Sequence, residues 1–168
     1  MSRLAIKPSL PWADICRSRP RYYFGHGLSY STFGYSDLLI SEKEIDAQGS
    51  VRIEVTVCNT GEYEGDEVVQ LYLIDRYASM TRPVKELAGF KRVSIKPGEK
   101  KTVVFEVLAS QMAFLDKDMR WKIEQGTIGV EIGSSSKDIR LTGEYIVKND
   151  GWIEGRDRAF YAKASIRK

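Results

Sequence analysis

The sequence predicts an all-β protein, an antiparallel β-sandwich of about seven or eight short strands. Three observations lead there. Apolar residues recur with period two through most of residues 51–147, turn signals interrupt them about every ten residues, and no long stretch sustains a helical period. The 168 residues, 42% hydrophobic and 29% charged, have an ordinary globular balance and are enough to close a core without metal or disulfide. They are too few for a (β/α)8 barrel, which needs roughly 200 or more.

Residues 1–34 read as an arm. Pro8, Pro11, Pro20, Gly25, Gly27 and Gly34 break any period, yet Trp12, Tyr22, Tyr23, Phe24, Tyr30 and Phe33 make the segment too aromatic for a flexible linker. Such an arm is expected to lie against a surface. The first clear strand follows, with Val51, Ile53, Val55 and Val57 alternating against Arg52, Glu54, Thr56 and Cys58. Asn59-Thr60-Gly61 marks a turn. Residues 66–74 form a second strand with apolar residues on both faces, Val69, Leu71 and Leu73 against Val68, Tyr72 and Ile74, as expected of a central strand covered on each side.

A polar loop, residues 76–83, leads to a strand over 87–95, closed by Lys96-Pro97-Gly98-Glu99, with Pro and Gly in turn positions. Val103, Phe105 and Val107 define the next strand, and residues 109–113 suit one helical turn. Phe114-Leu115 and residues 120–124 flank the turn Asp116-Lys117-Asp118. Residues 127–132 and the alternating Ile139, Leu141, Gly143, Tyr145 and Val147 complete the set. The spacing is that of an immunoglobulin-like, fibronectin type III-like sandwich over residues 35–148, with a single barrel as the lesser alternative. Residues 149–168 read as a basic C-terminal tail, open to a short helix or an extended strap.

Composition excludes several functions. Two cysteines and one histidine cannot build a zinc ribbon or a multi-histidine centre, and no metal or other cofactor is expected. No stretch approaches the ~20 apolar residues of a membrane span. The net charge of +3 combines two basic ends with a middle, residues 23–147, that is mildly acidic and has basic and acidic residues interleaved, so no nucleic-acid stripe is expected. Lys7, Pro8 and Pro11 interrupt the run a signal peptide needs. For the chain as it stands that implies the cytoplasm, and otherwise the compartment stays open. Cys16 and Cys58 show no sign of pairing.

Candidate chemistry is sparse. A catalytic triad would have to run through His26, but Gly25-His26-Gly27 has no nucleophile-elbow spacing and reads as a tight chain path. Asp116 and Asp118 lack the further ligands of a calcium loop and read as turn formers. No pair of carboxylates can be nominated for glycosidase work, so no catalytic residue is assigned. Arg82, Lys85 and Glu86 stand in a charged loop, either to grip a partner or as a solvated edge. Trp12 and Trp152, outside the sandwich strands, are candidates for stacking on sugar rings or for docking.

Four stretches then carry a resemblance. They are Phe24-Gly25-His26-Gly27-Leu28-Ser29-Tyr30-Ser31-Thr32-Phe33; Asn59-Thr60-Gly61 with residues 65–72; residues 82–93 with the turn at 96–99; and Gly133-Ser134-Ser135-Ser136 with Asp138-Ile139-Arg140-Leu141. In this order, over about residues 23–147, the chain resembles the C-terminal fibronectin type III-like domain of glycoside hydrolase family 3, the β-glucosidase and β-xylosidase family. The resemblance implies that the catalytic nucleophile and acid/base belong to upstream domains, that no residue here maps to either, and that this domain packs on them. The expected partners are therefore such catalytic domains, or a second copy meeting the exposed arm. Tyr23, Phe24, His26, Tyr30, Phe33, Arg82, Lys85, Glu86 and Phe90 are the candidate docking residues. The expected function is a non-catalytic accessory domain, with a standalone carbohydrate-binding module as the alternative.

Overall fold

The structure, a computed structural model, describes residues 20–167. Twelve strands follow one another: β1 (Phe33–Ile40), β2 (Glu44–Ile45), β3 (Ser50–Asn59), β4 (Gly65–Asp75), β5 (Glu86–Ile95), β6 (Lys100–Leu108), β7 (Phe114–Leu115), β8 (Trp121–Ile123), β9 (Gly126–Gly133), β10 (Ile139–Val147), β11 (Gly151–Ile153) and β12 (Lys163–Arg167). A 3-10 turn at Ala109–Met112 fills the place where one helical turn is expected, and a second stands at Gly155–Asp157. One sheet runs β1-β3-β6-β12 and the other β2-β10-β9-β4-β5, with a three-stranded sheet β11-β8-β7 beside them. Pairing is antiparallel throughout, apart from the two-residue contact of β2 with β10.

The alternation in the sequence becomes the core. Val51, Ile53, Val55 and Val57 of β3 and Val103, Phe105 and Val107 of β6 are sealed against Val69, Leu71 and Leu73 of β4 and Ile128, Val130 and Ile132 of β9. Burying one such side chain is worth roughly 1.5–3 kcal/mol, so this two-sheet interior supplies most of the stability. Cys58 is half-buried and unpaired, and Cys16 lies outside the described residues.

Two segments depart from the sequence expectation. The arm yields to strand at Phe33, because Phe33, Gly34, Tyr35 and Ser36 already pair with Asn59, Cys58, Val57 and Thr56 of β3. A register shift between Ser36 and Leu39, with Asp37 at φ 54°, breaks the period and hides this strand from a period-two reading. Residues 151–153 and 163–167 are built into the sheets: β11 pairs with β8, and β12 lies along the edge of β6 from Lys163↔Glu106 to Arg167↔Thr102. The Ala162 amide also donates to Ala88 O at 2.6 Å, tying this strap to β5 of the other sheet. Arg158 pins it. Its guanidinium lies 5.0 Å from the Trp121 ring centre and 4.9 Å from that of Phe160, and its Nε donates to Ala113 O at 3.0 Å. The strap's basic character thus comes from an edge strand with one wet face and from a cation held between rings.

Candidate functional site

On β4, Val69, Leu71 and Leu73 point into the core, so Gln70 and Tyr72 must point away from it. Both are nevertheless buried, because the arm and the β9–β10 loop cross over them. Gln70 Nε2 donates to the carbonyls of Gly25 (3.0 Å) and Ser134, while its Oε1 accepts the Tyr72 hydroxyl at 2.6 Å. The Ser136 amide donates to Phe24 O at 2.9 Å. Lys85, paired with Glu131 and donating to Ser136 O at 3.1 Å, sets its ammonium 5.7 Å from the Tyr72 ring centre. Gly25 crosses directly above Gln70 at φ 78°, a conformation that side chains rarely adopt, and a Cβ there would run into the Gln70 amide.

The arm is fastened again at Ser31, whose hydroxyl donates to Asn59 Oδ1 at 2.6 Å. Between these anchors it stands away from the sheet, leaving Leu28 92% and Tyr30 100% exposed. A groove of about 630 Å³ opens between the arm and the outer face of β4 and β5. Phe24, Leu28, Phe33, Val68 and Phe90 give it an apolar lining, with Phe24 and Phe90 more than half exposed.

A polar corner closes the groove. Arg140 grips both oxygens of Asp138 at 2.7 and 2.8 Å, and the Ser134 hydroxyl donates to the same carboxylate at 2.7 Å. These contacts, the guanidinium first, hold Asp138 below the usual carboxylate range. Glu67 shifts the opposite way, pushed up by burial although the Tyr35 hydroxyl, donating at 2.6 Å, partly offsets it. Burial, then that hydrogen bond, pushes Tyr35 up as well. One carboxyl raised and one lowered in a single groove has the outline of an acid and base pair. Asp138, however, is held by Arg140 and Ser134, and Glu67 by Tyr35, so the corner braces the groove.

A folded-state pKa above the unfolded one makes Glu67 contribute stability fully below the ordinary glutamate value, a contribution lost as pH rises through the folded value. At neutral pH the buried charge is a net cost. Glu67→Gln is therefore expected to raise stability at neutral pH, leave it unchanged in acid, and flatten its slope just above the ordinary carboxylate range. Urea melts across that window test this; a variant less stable at neutral pH would contradict it.

The expected docking residues divide. Tyr23, Phe24, His26, Tyr30, Phe33 and Phe90 belong to the arm and the face beneath it, with Lys85 under the arm. His26 is exposed, with its ring stacked 5.2 Å from that of Tyr22 and its amide donating to Tyr23 O at 3.0 Å. Arg82 and Glu86 lie elsewhere; Arg82 points inward, while Glu86 stays a third exposed beside it. The Arg82 side chain is only 7% exposed and donates to Asp75, to Glu86 and to Met112 O. Those acceptors need a cation inside the fold, which leaves Arg82 unavailable to a partner. Trp152 is half-exposed on β11, and Trp12 lies outside the described residues. Asp116 accepts the Asp118 and Arg120 amides at 2.9 Å each, as a turn former does. Among the described residues no group of three His, Cys, Asp or Glu side chains could hold a metal, and no helix is long and apolar enough to cross a membrane. Sequence reasoning passed over Gln70 and Asn59. An amide inside the apolar run Val68-Val69-Gln70-Leu71-Tyr72-Leu73 was the available signal.

Strand order, core and arm define the class: a fibronectin type III-like β-sandwich, and residues 67–136 match the family described as the fibronectin type III-like domain. Within that class, the chain matches the C-terminal domain of family 3 glycoside hydrolases. It is 45% identical over 118 residues to a β-xylosidase of Formosa agariphila, covering 70% of this chain and 16% of that enzyme. It is 44% identical over 121 residues to the periplasmic β-glucosidase of Salmonella typhimurium, covering 72% and 16%. Among solved structures, β-glucosidase 3B of Thermotoga neapolitana superposes with a TM-score of 0.75 at 33% identity, covering 85% of this chain and 19% of that one. A β-glucosidase of Listeria innocua gives 0.71 at 39% identity, covering 77% and 18%. The chain therefore spans less than a fifth of the length of these relatives.

Proposed function

We propose that this chain is a non-catalytic accessory domain that supports the catalytic domains of a family 3 glycosidase and docks on them through the arm face. The observation that carries this reading is the apolar groove between the arm and the outer face of β4 and β5. The arm is anchored through the carbonyls of Phe24 and Gly25 and the hydroxyl of Ser31, yet the side chains of Phe24, Leu28, Tyr30 and Phe90 are presented to solvent. Leu28, 92% exposed, would gain most of the roughly 1.5–3 kcal/mol of a full burial, and the half-exposed Phe24 and Phe90 about half of it each, which favours one domain resting on another. The greater part of each relative, beyond the length matched here, is what such a face would meet.

The test mixes the chain with the catalytic part of a family 3 β-glucosidase lacking its own C-terminal domain. Light scattering is expected to show a one-to-one complex, lost with Leu28→Asp or Phe90→Asp, neither of which touches the core. Association indifferent to both substitutions would sink the reading. A dimer of the chain alone, abolished by the same substitutions, would replace it with self-association through the arm.

A further inference from the structure

The small sheet β11-β8-β7 carries an aromatic row with no part in the docking face. Phe114, Lys122 and Trp152 are cross-strand partners on its three strands, and so stand side by side on one face. Cations alternate with the rings: Arg82 lies 5.3 Å from the Phe114 centre, and Lys122 and Arg120 lie 6.0 and 5.8 Å from that of Trp152. Lys122 is neutralised by Glu124 at 3.0 Å and Asp150 at 2.8 Å, and Arg120 by Asp116 at 3.7 Å and Asp118 at 3.6 Å. The cations therefore steady the indole without offering free positive charge to an anion. Trp152 is held in place while remaining 53% exposed.

Beside it runs a groove of about 740 Å³, lined among others by Trp121, Trp152, Gln48, Arg120, Glu154 and Asp157. That volume lies within the roughly 300–1,000 Å³ of small-molecule sites. Gln48, Glu154 and Asp157 are exposed, so an amide and two carboxylates share the groove with the exposed Trp152 indole. We propose that this groove binds a neutral pyranose chain. The C–H face of a sugar ring covers a flat indole, its hydroxyls donate to carboxylates, and an amide both donates and accepts. The two rim carboxylates disfavour an anionic ligand such as nucleic acid. The groove borders the edge strand β11, which suits a passing chain. The β9–β10 loop under the arm and the Gln125–Asp150 contact beside β11 lie at opposite ends of β9, which at eight residues separates them by about 25 Å. A chain could thus bind here while the arm face is occupied, and the inference does not depend on the docking proposal.

The test is an amide NMR titration of the 168-residue chain with cellohexaose and with xylohexaose. Saturable shifts are expected at residues 48, 119–121 and 152–157. Trp152→Ala should weaken binding about tenfold or more, with Phe90→Ala as an unaffected control. The double variant Glu154→Gln/Asp157→Asn, confined to exposed side chains, should also weaken binding and guards against misfolding of the Trp152 variant. Silence up to millimolar sugar, shifts centred on the arm, or affinity unchanged in both test variants would overturn the proposal.

Discussion

Asn59→Ala is expected to lower the unfolding free energy by about 4 kcal/mol, since each buried polar group left without a partner costs roughly 1–3 kcal/mol. Asn59 is fully buried at the end of β3 and uses its whole amide. Its Oδ1 accepts the Ser31 hydroxyl at 2.6 Å and the Gly61 amide at 3.0 Å, while its Nδ2 donates to Tyr63 O at 2.7 Å and Ile95 O at 2.8 Å. One side chain therefore joins the first sheet to the arm, to the loop after β3 and to the end of β5 in the second sheet. Truncation strands the buried Ser31 hydroxyl and Ile95 carbonyl together. Asn59→Asp separates the two halves of the amide, because a carboxylate keeps the acceptor but loses both donated bonds. It should fall well below the parent at neutral pH and recover part of the gap in acid, where a protonated carboxyl can donate once. Urea denaturation of both variants checks this, and a loss below about 1 kcal/mol for Asn59→Ala would show that water replaces the amide.

The second large effect belongs to Arg82. Its replacement by alanine should cost about 3 kcal/mol, because breaking a buried pair leaves an uncompensated charge behind. The Asp75 side chain is 10% exposed and would lose the guanidinium at 3.1 Å, and Met112 O would lose its donor at 2.6 Å. Glu86 is more open to water, so its share is small. Arg82→Lys should recover only part of the loss, since one ammonium cannot serve three acceptors along a planar fork. If Arg82→Ala instead weakened association with the catalytic part and spared stability, the side chain would belong to the docking surface after all.

Much of the sandwich was legible because a strand with one buried face must alternate. Val51 to Val57, Val103 to Val107 and Ile128 to Ile132 could hardly be read otherwise. β1 was not legible, because its register shift breaks the period, nor was β12, where Ala164 is the one inward residue packed on the core. The arm's contact with a surface was expected from its aromatics. Its anchoring by Gln70 and Asn59 was not, since either amide could as well have faced water or a turn. The loop charges failed for a related reason: Arg82 reads the same in sequence whether it ends in solvent or beneath Phe114.

The sequence by itself determined the core strands, the turns and the family motif set, because those follow from periodicity and residue type along the chain. Tertiary structure alone decided which polar side chains were consumed inside and which aromatic ones were left out. A hydrogen bond between Gln70 and Gly25, or an indole set opposite Lys122, depends on partners brought together from distant parts of the chain. The burial that decides what such a group can do exists only once the sheets have closed.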